Sequence, residues 1–182
     1  MFSGEESLVY TSGRAKSLIE RFGIKKVPAI IAAGSIDDYN GLSQVMLESG
    51  IGKKDGNYVI EAIVPPYRNL STGRMEGLVE VVYLNDSGCK SCYDVLTQKA
   101  ILQRFGVSVA KESFFDVGDE EGRKLAEKYN ISRVPTIIVS PDLGVYSSLA
   151  GVWLQVGTVE NDGYYVFRKV EVMGESSEVV LK

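Results

Sequence analysis

The stretch Leu78-Val-Glu-Val-Val-Tyr-Leu-Asn-Asp-Ser-Gly-Cys-Lys-Ser-Cys92 decides how the rest of the chain is read. Its first seven residues are β-branched or apolar almost without a break, the composition of a strand buried on both faces. Asn85-Asp-Ser-Gly88 is turn chemistry, and Cys89 and Cys92 follow at a spacing of three. Apolar residues at 93, 95, 96, 101, 102 and 105, with Gly106 behind them, predict an amphipathic helix that opens at the cysteines. Positions i and i+3 of a helix share a face, close enough for two sulfurs to join.

Outward from this stretch the elements alternate. Val107–Phe115 is a second strand. Asp119–Tyr129 is acidic early and basic late, a helix suited to its own dipole. Thr136–Val139 is a third strand, Tyr146–Val156 a further helix, and Tyr164–Val172 a last strand with Val166, Val170 and Val172 on one face. Short strands alternating with single helices predict an α/β fold with parallel crossovers and an open sheet.

Composition removes whole classes of function. The 182 residues carry 20 basic and 24 acidic side chains, a net charge of −4, with no basic run. Nucleic acid and anionic membrane surfaces both call for clustered Lys and Arg, so neither is expected as a partner. No apolar stretch reaches the ~20 residues of a membrane helix. The opening Met-Phe-Ser-Gly-Glu-Glu lacks the pattern of a secretory signal, so the expected compartment is the cytoplasm. An exported or anchored parent protein is the other possibility. With two cysteines and no histidine, one chain holds no Ser-His-Asp triad, no Cys-His nucleophile pair and no four-ligand Cys/His zinc site. No metal and no organic cofactor are expected.

The chain also repeats itself. A shift of 107 positions aligns residues 18–66 with 125–173 without a gap, and about one third of the pairs are identical. Val27-Pro28-Ala-Ile-Ile31 meets Val134-Pro135-Thr-Ile-Ile138, and Asp55-Gly56 meets Asp162-Gly163. The second copy is preceded by roughly 45 residues, including both cysteines, that have no counterpart in the first. The expected organisation is therefore a truncated half-domain over 1–68 that lacks the cysteine pair, a linker over 69–77 rich in turn residues, and a complete domain over 78–182. The half-domain leaves an apolar edge bare, and such an edge tends to pair, so 1–68 is expected to pack on the complete domain as one continuous sheet or on a second copy as a homodimer, with shaping of a substrate groove a further role.

A strand, a turn, Cys-x-x-Cys, and Val134-Pro135-Thr136 about 43 residues later together resemble thioredoxin. The tandem arrangement is similar to archaeal protein disulfide oxidoreductases and protein disulfide isomerases, which fuse two such units. The resemblance implies a thioredoxin-like fold and thiol–disulfide exchange with protein substrates, served by an upstream reductase. It implies a cis Pro135 packed against the cysteines and a Val134 backbone that bonds substrate. Thr136 supports the turn or is a plain strand residue. Departures are visible: Gly88 stands where thioredoxins have an aromatic, and Glu80 falls too early for their buried strand carboxylate.

The residues suggest roles. Only a thiolate attacks a disulfide, and a helix N-terminus stabilises one, so Cys89 is expected as nucleophile and Cys92, more buried, as the resolving thiol. Lys90 adds positive charge beside them. Glu80, Asp86 and Asp94 are candidate proton acceptors for Cys92, with Lys111 a partner for Glu80. Two other readings stand beside exchange: a non-catalytic binding module whose disulfide is structural or regulatory, and a metal or cluster site shared between two chains. The direction of exchange, the substrate and the electron donor are open at this level.

Overall fold

The computed structural model describes residues 4–32, 39, 41–61 and 64–179. The chain divides into two compact units, Met1–Glu76 and Gly77–Lys182.

In the first unit the Ser12 hydroxyl accepts from Ala15 N–H at 3.2 Å and starts α1 (Gly13–Phe22), which stops at Gly23 in the left-handed region. There follow β1 (Lys26–Val27), β2 (Ala29–Ala32), α2 (Leu42–Glu48), β3 (Lys53–Lys54), β4 (Asn57–Glu61), β5 (Tyr67–Asn69) and β6 (Met75–Glu76). They form two antiparallel sheets, ordered β2-β4-β3 and β1-β5-β6. The second sheet revises the expected linker. Residues 69–77 are turn-rich because they turn a hairpin: Asn69 Oδ1 accepts from Ser71 and Thr72 N–H at 2.9 and 3.3 Å, and β6 pairs back on β5. The unit boundary falls after Glu76 rather than at 68.

The second unit contains β7 (Leu78–Asn85), α3 (Thr97–Arg104), β8 (Ser108–Asp116), α4 (Glu120–Lys128), β9 (Arg133–Val134), β10 (Thr136–Val139), α5 (Ser147–Trp153), β11 (Gly157–Val159), β12 (Tyr165–Phe167) and β13 (Ser177–Glu178). Five strands make one sheet in the order β11-β12-β10-β7-β8, and β13 pairs with β9 apart from it. The chain is thus mixed α/β, but its sheet is not the parallel one expected. Only β7 and β8 run parallel; β10 is antiparallel to β7, and β12 to β10.

β10 starts near where β8 finished: Val117 N–H donates to Asn85 O at 2.9 Å, and Thr136 sits opposite Leu84.

Two apolar layers hold the sheet. Val79, Val81, Tyr83, Ile137 and Val139 face Leu102, Leu149 and Trp153, while Leu84, Ile138 and Val166 face Ala126 and Ile131. The expected last strand is cut short to β12. Arg168 and Lys169 N–H both donate to Val156 O, and the Arg168 guanidinium donates to Tyr129 O and Asn130 O at the end of α4. Val170–Val172 then forms a 310 turn, so Val170 and Val172 do not continue the face of Val166. The helix expected over 146–156 is a 310 turn at Pro141–Val145 followed by α5.

Elements recur at the sequence shift of 107: α1 with α4, β1 with β9, β2 with β10, β4 with β12. Their burial does not recur. Ile137 of β10 is 1% exposed, and its counterpart Ile30 of β2 is 60% exposed; Leu149 is 4% exposed and Leu42 38%. β2 is an edge of its sheet, and α2 has no buried residue. Among the described residues no helix is long and apolar enough to cross a membrane.

Gly122 sets how closely α4 approaches the end of β8. A Cβ there would lie 1.9 Å from Asp116 O, a backbone atom with no room to retreat. Gly122→Ala is expected to cost about 2 kcal/mol or more through overpacking, read as a lower midpoint in urea unfolding at constant slope.

Candidate redox site

Cys89 and Cys92 are joined by a disulfide, with Cα atoms 5.5 Å apart. They lie in the segment that follows the C-terminal end of β7. Both are partly exposed, and Lys90 and Ser91 between them are exposed.

Asp86 builds the approach to the first cysteine. Its Oδ1 accepts from Gly88 N–H at 2.9 Å and its carbonyl from Cys89 N–H at 3.1 Å. Asp116, at the end of β8, braces the same loop by accepting from Ser87 N–H at 2.6 Å and from Gly118 N–H at 2.8 Å. Burial works to raise the Asp116 pKa, but these donated bonds outweigh it and hold the carboxyl below its ordinary value.

The helix expected to open at the cysteines starts later. Helix α3 begins at Thr97, after a turn in which Asp94 Oδ1 accepts from Leu96 N–H at 2.9 Å and Asp94 O from Thr97 N–H at 3.0 Å. The side chain of Asp94 competes for donors that an earlier helix would have used. A helix dipole acts only over its first turn, so it does not reach Cys89. The polar contact at the Cys89 sulfur is instead with Ser91 Oγ, at 4.0 Å.

What ties the cysteine segment to the rest of the unit is Tyr93, which sequence reasoning took for a helix-face residue. Its hydroxyl donates to Pro135 O at 2.7 Å and accepts from Gln98 Nε2 at 3.3 Å, and its N–H donates to Glu175 O at 2.9 Å. Burial raises the Tyr93 pKa, partly offset by the Gln98 hydrogen bond, so the phenol stays a donor at neutral pH. Gln98 is 3% exposed, so a polar pair sits inside the wall behind Cys92. No signal in the sequence marks Gln98, because a glutamine among polar helix residues looks solvated.

The other side of the site is the segment before β10. Val134–Pro135 is a cis peptide, as is Val27–Pro28 in the first unit. Val134, Pro135 and Thr136 are buried, and the Thr136 hydroxyl donates to Phe167 O at 2.6 Å, fastening β10 to β12. Of the expected site residues, Cys89 and Cys92 are joined to each other, and the residue after Cys92 bonds Pro135 through its hydroxyl. Glu80 does not join them. Its side chain is 55% exposed near the start of β7 and lies 3.9 Å from Lys111, the partner expected for it. A concavity of about 370 Å3 nearby is lined by Tyr83, Asp94, Leu96, Phe114 and Asp116, among others, but by neither cysteine. Among the described residues no group of three or more His, Cys, Asp or Glu is placed to hold a metal. No family model, no curated protein and no solved structure matches this chain.

Two outcomes test the framing of the site. Tyr93→Phe keeps the ring but leaves Pro135 O and buried Gln98 short of a partner, which is expected to cost about 1–3 kcal/mol in urea unfolding. Asp116, with its lowered folded pKa, contributes stability that is present above the ordinary carboxylate pKa of about 3.9 and is lost as pH falls through the lower folded value. Wild-type stability should therefore fall more steeply below about pH 4 than that of Asp116→Asn, as read from unfolding midpoints across an acid series.

Proposed function

We propose that this chain is a thiol–disulfide oxidoreductase that exchanges disulfides with protein substrates through Cys89 and Cys92, on a thioredoxin-like second unit. The observation that carries the reading is the partly exposed cysteine pair held beside the Val134–Pro135 segment by the Tyr93 hydroxyl. The strand order supports it. A central β7 with a parallel β8 on one side and an antiparallel β10 on the other, followed by β12 antiparallel to β10, is the core arrangement of the thioredoxin fold. The recurrence of elements at a shift of 107, α1 with α4, β1 with β9, β2 with β10 and β4 with β12, supports a duplicated unit.

From the oxidised state a substrate thiolate attacks the Cys89 sulfur. The Cys89–Cys92 bond breaks, the Cys92 sulfur leaves with the electron pair and takes a proton, and a mixed disulfide joins substrate to Cys89. A second substrate thiolate then attacks the substrate sulfur of that bond and releases Cys89. The substrate gains a disulfide and the protein becomes a dithiol. In reverse, the Cys89 thiolate attacks a substrate disulfide, Cys92 resolves the mixed disulfide, and an upstream reductase restores the dithiol. A cysteine pair on a loop, rather than in a closed pocket, suits a macromolecular substrate that brings its own shape. Lys90 and Ser91, exposed between the sulfurs, meet that substrate first.

The bare apolar side chains of the first unit, Ile30, Val45 and Leu47, are the surface through which a second copy is proposed to pair. The rival reading is a binding module whose disulfide only staples the loop, and one pair of variants separates the two. Cys92→Ser is expected to accumulate mixed disulfides through Cys89 when mixed with an oxidised protein lysate, seen as reductant-sensitive bands, and Cys89→Ser to accumulate none. Equal partner retention by both variants, insensitive to reductant, would favour the binding module.

A further inference from the structure

The second unit's own C-terminal segment runs through the gap between the cysteine loop and the residues before Pro135. Glu175 O accepts from the N–H of Tyr93, the residue after Cys92. Two residues on, β13 pairs antiparallel with β9, Ser177 opposite Val134 and Glu178 opposite Arg133. Val179 N–H then donates to Ser132 O at 2.9 Å. In an antiparallel ladder bonded pairs alternate, so a bonded pair at 132 and 179 makes 134 and 177 the next one. The approach is close: a Cβ at Gly174, which has φ 143°, would lie 3.1 Å from Tyr93 Cβ.

The first unit repeats this contact and differs in one respect. Leu70 N–H donates to Lys25 O at 2.8 Å, and Lys25 is the counterpart of Ser132 at the shift of 107. There β5 lies on β1 but is also held on its other edge by β6. Among the described residues of the second unit, β13 is bonded to β9 alone. Val179, the residue after it, packs on the apolar layer of Leu84, Val134 and Ile138, but the two side chains of β13 itself add little. Ser177 Oγ is buried without a hydrogen-bond partner, and the Arg133–Glu178 pair is largely exposed, at 47% and 78%.

We infer that Ser177–Glu178 is a releasable strap over the exchange site, whose departure frees the β9 edge beside the disulfide for an extended segment of a substrate. This inference rests on the proposed redox reading and adds its regulation. An open strand edge templates any extended chain through main-chain hydrogen bonds, so the strap and a substrate compete for one row of donors and acceptors. A competitor that is closed most of the time lowers apparent affinity by the fraction of time the edge is open. Small thiol reagents, which reach the sulfurs without a strand, escape this competition.

The test uses the full chain, a Ser177→Pro variant that removes the ladder N–H at 177, and a chain ended after Gly174. The probes are an extended peptide carrying one glutathionylated cysteine, and oxidised glutathione. Both altered proteins, once reduced, are expected to react with the peptide about tenfold faster than wild type and with oxidised glutathione at the wild-type rate. Equal peptide rates for all three proteins would overturn the strap. A wild-type protein that reacts with neither probe would sink the redox reading instead. The strap is then judged by binding alone, with serine replacing the peptide's cysteine. Tighter binding by the altered proteins, with the Val134 amide resonance moving, supports the strap, and unchanged binding overturns it. Hydrogen exchange gives a readout on the unaltered chain. The Val134 and Val179 amides should exchange by local opening well ahead of Ile138 in β10, and equal protection of all three would contradict the inference.

Discussion

The hydrogen bond from the Tyr93 hydroxyl to the Pro135 carbonyl joins two segments that are otherwise distant in the chain, the loop that carries the cysteines and the lead-in to β10. Both segments emerge at one end of the sheet because β7 finishes where β10 begins. Without the reversed β10, Pro135 would lie at the opposite end of the sheet from Cys92, and the phenol would have nothing to hold. The link between the cysteine segment and the Val134–Pro135 segment is therefore a consequence of the sheet's mixed direction.

Much of this was legible in residues, and the parts that were not share a cause. The strand at 78–85, the helix at 120–128 and the strand at 136–139 follow from local apolar periodicity and charge placement, which depend on near neighbours only. The pairing of Cys89 with Cys92 follows from spacing. Strand direction does not, since a β-α-β order fits either sense. The start of α3 was misplaced because apolar residues at 93, 95 and 96 fit a helix face. Their donors instead serve tertiary and turn contacts: Tyr93 N–H goes to Glu175 O, and Leu96 N–H to the Asp94 carboxylate. Turn residues at 69–77 looked like a linker, yet Asn69 and Gly73 turn a hairpin just as well.

The two units show what one sequence pattern does with and without its partners. Val-Pro followed by Ile-Ile makes a strand in both. In the second unit that strand is flanked by β7 and β12 and its isoleucines are almost wholly buried. In the first it ends a sheet and Ile30 faces outward. Sequence identity fixed the local backbone, and the neighbours fixed the burial. The strand laid over the residues before the proline recurs in both units. β5 is bonded on both edges, and among the described residues β13 is bonded on one.

The central claim is that the Cys89–Cys92 bond is made and broken in use, and its reduction potential tests this most directly. Equilibrating the protein in glutathione buffers of graded ratio and counting free thiols yields that potential. The account predicts a value within the span of exchange enzymes, about −270 to −120 mV. A value below about −300 mV, where structural disulfides lie, would contradict it.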